Sequence, residues 1–343
     1  MRNFHTLLSG LVLVSTACGS DDGAETATAQ LLSDEPSVLV DLDPSSTGTT
    51  LTVESIAANA AGQLFISDRE SGNVLRIDPS NPTPVVVAKL QGRSDANGGM
   101  EVKANGAGLV FTPAGDLLIA SGAFNEVLRL TASDLQAATP AAAQTFITGV
   151  QGANSVLLVG NDLYVTGGAT GNIYVADVSG APGAAQVWSK IEPSTRSVAP
   201  DGFMQSVVAN GIARDPSGDL LVADTARAAI WKIPVDAAGN AGTPETLVQS
   251  SLLEGVDGLT FDPEGRLWAA VNERNALVVV EGGQAREAYK NGNAGPLEFP
   301  AAIVFVDDAG YVANFDRPRG QNFAADGVTS SAGVGSSIAR FQL

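Results

Sequence analysis

Histidine and cysteine are almost missing from this chain of 343 residues, which has one of each, His5 and Cys18. Residues 19–343 therefore contain neither. That excludes disulfides, Ser-His-Asp and Cys-His catalysis, zinc sites built on His or Cys, and haem on a histidine ligand. Positive charge is scarce too, with 19 Lys and Arg against 37 Asp and Glu and a formal net charge of −18. Such a chain repels phosphate backbones and anionic membrane surfaces, which argues against nucleic acid as a partner. Long apolar runs are also lacking: residues 7–14 form one, too short to cross a membrane as a helix. The chemistry left must use carboxylates, amides, hydroxyls, Lys, Arg or a hard metal ion. What is plentiful is glycine, at 38 residues with 17 prolines, in a chain long enough to bury a sizeable core.

The opening MRNFHTLLSGLVLVSTACGSDDG places Arg2 before the apolar stretch and small residues after it, up to Cys18. This is the layout of a secretory signal. Ending in Ser-Thr-Ala-Cys, it resembles a bacterial lipoprotein signal, in which the cysteine is lipidated and becomes the mature N-terminus. The expectation is a signal over 1–17, lipidation at Cys18, export to the cell envelope, and membrane contact only through that anchor. Residues 18–35 are small, acidic and without periodicity, and read as a flexible tether.

From residue 36 onward one unit recurs. An apolar run leads through a Gly-containing turn into a strand: AAGQLFISD (60–68), PAGDLLIAS (113–121), VGNDLYVTG (159–167), PSGDLLVAD (216–224), PEGRLWAAV (263–271) and DAGYVANFD (308–316). A second alternating strand follows each, such as NVLRID (73–78) or AIWKIP (229–234). The aligned residues Leu64, Leu117, Leu163, Leu220, Leu267 and Tyr311 lie 44 to 57 residues apart. Short strands with Gly, Asp and Asn turns at a period of about 50 predict an all-β fold, a six-bladed β-propeller with one four-stranded blade per unit. The last unit stops at its third strand. SVLVDL (37–42) is an unassigned strand ahead of the first unit, so it is expected to complete blade six and close the ring. The propeller then spans 36–343.

The innermost strand of each blade starts about ten residues before the aligned residue, where side chains converge on the central channel. Reading that step around the ring gives Glu54, Ala107, Asn154, Asn210, Asp257 and Ala301. Asn-Gly and Asp-Gly are common turn dipeptides, which supplies one account of the polar members. A turn requirement would apply in every blade, however, and Ala107 and Ala301 carry no side-chain oxygen. The other account is a hard cation such as Ca²⁺, which takes six to eight oxygen ligands from carboxylates, amides and water.

NGIARDPSGDLLVADT (210–225) and DGLTFDPEGRLWAA (257–270) resemble the senescence-marker-protein/gluconolactonase (regucalcin-like) family. The resemblance implies a six-bladed propeller holding one divalent cation through Glu54, Asn210 and Asp257, with Asn154 beside metal and substrate. Ca²⁺ is the first expectation, with Zn²⁺, Mg²⁺ or Mn²⁺ as alternatives. It further implies hydrolysis of a sugar lactone or related ester, a small-molecule substrate, with Asp257 both ligand and general base. Long connections at 91–106 and 189–206 offer Arg93, Lys103, Arg196, Asp201 and Met204 at the channel mouth. The alternative is a non-catalytic propeller of the NHL-repeat kind, displayed for a protein partner with or without a structural cation.

Overall fold

The computed structural model describes residues 31–42, 51–94, 101–102, 104–199, 202–292, 295–317 and 334–343. The leader, Cys18, Lys103 and Asp201 lie outside the described residues.

Blade five shows how the repeat folds. Its four antiparallel strands are Val256–Phe261, Leu267–Val271, Ala276–Glu281 and Gln284–Lys290, in sequence order from the channel outward. The turn between the first two is built by Asp262, whose carboxylate accepts from the Arg266 backbone N–H at 2.8 Å and from Trp268 Nε1 at 2.7 Å. Gly265 there has φ of 82°, a conformation that favours glycine. The same turn chemistry recurs in blade four, where Asp215 accepts from the Asp219 N–H at 3.0 Å. The Asp-Pro-x-Gly sequences of blades four and five therefore specify a tight hairpin between their two inner strands.

The second strands are buried on both faces. Leu117 and Ile119 pack toward blade one, while Leu118 and Ala120 pack toward blade three. This two-sided burial explains why alternation gives way to continuous apolar runs. The buried apolar residues form six clusters, each bridging two neighbouring blades. The core is thus a ring of inter-blade junctions.

The ring closes as the sequence predicts. Asp34–Asp41 pairs antiparallel with the chain's last strand, Ser337–Gln342, and becomes the outermost strand of blade six. One boundary moves. Residues 31–35, assigned to the tether by composition, belong to the propeller: Leu31 and Leu32 are buried against Trp268 and Phe341. Their flanking acidic residues hid two core leucines.

The Asp257-Gly258 pair is not a turn. It lies inside the innermost strand, and Gly258 has no left-handed φ. A Cβ on Gly258 would meet the Ala301 carbonyl oxygen at 2.6 Å and Ala302 Cα at 2.8 Å. One on Gly211 would meet the Asp257 carbonyl oxygen at 2.2 Å, and the Gly211 N–H donates to that oxygen at 3.1 Å. Glycine is required because the next blade's backbone passes against it at the channel wall. Gly258→Ala is expected to push blades five and six apart and cost about 1–3 kcal/mol or more, read by chemical denaturation.

Candidate functional site

All four polar residues picked out by the ring comparison line one cavity of about 690 Å³ at the channel mouth: Glu54, Asn154, Asn210 and Asp257. Asn154 Nδ2 donates to Asn210 Oδ1 at 3.0 Å, linking blades three and four. Ala107 and Ala301 are buried apolar positions, so blades two and six are passive at this step. Blade two instead contributes Asn105 to the cavity wall.

A second ring supports the first. In blade four, Asn210 Nδ2 donates to Thr225 Oγ1 at 3.0 Å, and Thr225 donates on to the Val256 carbonyl at 2.7 Å. In blade five, Asn272 Nδ2 donates to Asp257 Oδ2 at 3.0 Å. In blade one, the Arg69 guanidinium forms an ion pair with Glu54. Each supporting residue is the fifth after the aligned leucine, just beyond the second strand, where the chain returns to the channel mouth beside the start of the first strand. Sequence reasoning missed this ring. Reading that step in every unit finds it as Arg69, Gly122, Gly168, Thr225, Asn272 and Asp316.

Asp257 is desolvated within this site, although Arg69 and Arg317 line the same cavity. Asp257 is only 8% exposed, and burial pushes its carboxyl up to about 7. Hydrogen bonds from Asn272 and Asn210 and the attraction of Arg69 oppose that rise, while Glu273 adds to it. Glu54 Oε2 is shielded from solvent and receives no hydrogen bond of ordinary geometry, although Arg69 sits against it. Among the described residues no three His, Cys, Asp or Glu side chains come together, so any metal here depends on amide oxygens beside two carboxylates.

The mouth is partly covered by a hairpin, Arg196–Val198 with Phe203–Gln205. Buried Glu273 anchors it, accepting from Arg196 Nη2 at 2.7 Å and from Gln205 Nε2 at 3.3 Å. Phe203 and Gln205 of this hairpin face the cavity, whereas Met204 does not line it. Arg196 serves the anchor. Arg93 lies elsewhere, pairing with Glu126 at 2.7 Å. Phe299 and Phe315, with ring centroids 6.1 Å apart, complete an aromatic side to an otherwise polar cavity.

Residues 54–306 match the model of the SMP-30/Gluconolactonase/LRE-like region, and so more than half of the chain. The chain belongs to this family. The match spans the innermost strand of blade one through that of blade six, and so includes all four channel residues. No curated protein matches this family member in sequence. Its fold is similar to a gluconolactonase from Xanthomonas campestris, at 15% identity and TM-score 0.62, covering 93% of this chain and 92% of that one. It is also similar to a calcium-binding regucalcin from Agrobacterium tumefaciens, at 15% identity and TM-score 0.58, covering 89% and 92%. A catalytically inactive histidine-to-alanine variant of virginiamycin B lyase from Staphylococcus aureus shares the fold as well, at 14% identity and TM-score 0.53, covering 90% and 99%.

Proposed function

We propose that this protein hydrolyses a lactone or related ester at the channel mouth, with one divalent cation held by Glu54, Asn210 and Asp257. The observation that carries this reading is the convergence of four oxygen-bearing side chains from four blades in one cavity of a gluconolactonase-family chain. The donor set fits a hard cation such as Ca²⁺, because it consists of carboxylate and amide oxygens only. The raised pKa of Asp257 fits as well, since a buried carboxylate without full compensation resists ionisation. When bound, the cation would polarise the ester carbonyl and make an attacking water more acidic.

The chain's own groups supply the rest. Asp257 accepts a proton from the attacking water, with Asn272 orienting its carboxylate through Oδ2. Asn154, held against Asn210, would donate to a ring or hydroxyl oxygen of the substrate. Phe203, Phe299 and Phe315 give the apolar part of the substrate a wall, and the hairpin over the mouth restricts water. Chemistry of the lyase kind has little support. The neighbour named as a lyase is inactive as a histidine-to-alanine variant, and this chain has no histidine beyond His5.

The test is turnover across a panel of sugar, aliphatic and aryl-substituted lactones with added Ca²⁺, Mg²⁺, Mn²⁺ or Zn²⁺. Glu54→Gln is expected to lower kcat/KM by about 100-fold or more, because it removes one of the two carboxylates in the proposed ligand set. A protein that binds the cation yet turns over no lactone or ester would sink the hydrolase reading and favour a structural cation in a binding propeller. Export and lipidation at Cys18 remain part of the proposal, checked by mass spectrometry of the membrane fraction beside Cys18→Ala.

A further inference from the structure

The second ring differs in charge from blade to blade. At its step blades two and three have Gly122 and Gly168, blades four and five have neutral Thr225 and Asn272, and blade six has Asp316. Blade one alone places a cation there, Arg69. Its backbone is pinned: the Arg69 N–H donates to the Thr52 carbonyl at 3.0 Å, and Asp68 accepts from the N–H groups of Thr52, Glu70 and Ser71 at 2.9, 3.0 and 3.0 Å. The root of the side chain is therefore fixed, and its guanidinium is directed into the cavity it lines. There it pairs with Glu54, lies 5.8 Å from the Phe315 ring centroid, and is attracted by Asp257.

These are the two carboxylates assigned to the metal. A guanidinium against Glu54 neutralises one of the two negative charges and blocks access to Glu54 Oε2. A divalent cation at the same carboxylate would face a positive charge at contact distance in a partly buried site. The two cannot share Glu54 at a modest energy.

We propose that Arg69 is a built-in competitor of the divalent cation, so that guanidinium and metal exclude one another at Glu54 and Arg69 sets the metal affinity. This rests on the reading that Glu54, Asn210 and Asp257 hold the cation. The metal-free site then keeps its charge partly balanced, and loading requires the guanidinium to leave Glu54. It also makes the protein a weaker cation binder than its donor set alone allows.

The experiment is calorimetric titration of chelator-stripped protein with Ca²⁺ alone, comparing wild type, Arg69→Met and Arg69→Lys. Arg69→Met is expected to bind Ca²⁺ at least about tenfold more tightly than wild type, the effect of removing one like charge next to the ligand. Arg69→Lys, which keeps the charge, should remain near wild type. In chelator Arg69→Met should unfold at a lower temperature than wild type and recover on adding Ca²⁺, a readout independent of turnover. Should Arg69→Met misfold, Arg69→Gln makes the same comparison. Equal affinities for wild type and Arg69→Met would overturn the competition and leave the hydrolase reading standing. Equal tightening in Arg69→Met and Arg69→Lys would overturn it in favour of crowding. Binding by Arg69→Met but not by wild type would support the competition and remove the metal from the hydrolase reading. Binding by neither, with Ca²⁺ or with Mg²⁺, Mn²⁺ or Zn²⁺ in its place, would overturn both.

Discussion

Asp257→Asn is expected to abolish lactone hydrolysis and, at the same time, to stabilise the metal-free protein at pH 8 by on the order of 4 kcal/mol. The stability effect follows from the carboxyl's displacement from 3.8 to about 7 by burial. Because the folded state binds this proton more tightly than the unfolded chain, the group favours folding most below about pH 4. That contribution is lost as pH rises toward about 7, and above it the folded protein bears the full cost of a buried, poorly compensated carboxylate. Asparagine keeps an oxygen to accept from Asn272 Nδ2 and carries no charge. Wild type and variant should therefore be about equally stable at pH 4 and separate steadily between pH 4 and 7. Saturating Ca²⁺ should reverse the order at pH 8 if, as proposed, the carboxylate is one of the cation's ligands. Denaturant unfolding at pH 4, 6 and 8, with chelator and with Ca²⁺, reads all of this. A stability gain of the same size at every pH would mean that Asp257 is strained for reasons other than its charge.

Deleting residues 31–42 is expected to prevent cooperative folding of the whole propeller. The segment supplies the outermost strand of blade six, in register from Asp34 opposite Gln342 to Asp41 opposite Ser337. Leu31 and Leu32 fill the junction of blades five and six, and Leu42 fills that of blades six and one. At about 2–5 kcal/mol for each buried leucine truncated, their loss alone is at least about 6 kcal/mol, comparable with the whole stability of a domain. It would also bare the edge of Ser337–Gln342 to other chains. Leu32→Ala, a milder change, should lower stability by about 2–5 kcal/mol while keeping a single unfolding transition. A deletion variant that still unfolds in one transition at the wild-type midpoint would show that the ring closes without this strand.

Some of the site could be read directly from the chain. The propeller is built by repetition, so a residue's role shows as a difference between equivalent positions in six copies. Glu54, Asn154, Asn210 and Asp257 stood out because Ala107 and Ala301 occupy the same step, and the structure brings all four to one cavity. The supporting residues Thr225 and Asn272 follow their partners at a constant spacing and obey the same rule, but they declare themselves only once the end of the second strand is known to return to the channel mouth. The glycines were legible as glycines and misleading as to cause. Asp257-Gly258 has the composition of a turn, and what demands the glycine is the backbone of the neighbouring blade 2.6 Å from where a Cβ would lie.

The sequence by itself determined the architecture, the number of blades, the strand that closes them, the absence of histidine and thiol chemistry from the propeller, and the four channel residues. All of these are properties of composition or of comparison along the chain. Tertiary structure alone decided that Leu31 and Leu32 are core, that Glu273 anchors a hairpin over the mouth, and that Arg69 reaches the carboxylate of Glu54. The physical reason for the first two is that they depend on contacts between segments whose separation along the chain has no period. Glu54 and Arg69 keep the spacing of the other supporting pairs, and there it is the fold that turns the guanidinium onto the carboxylate.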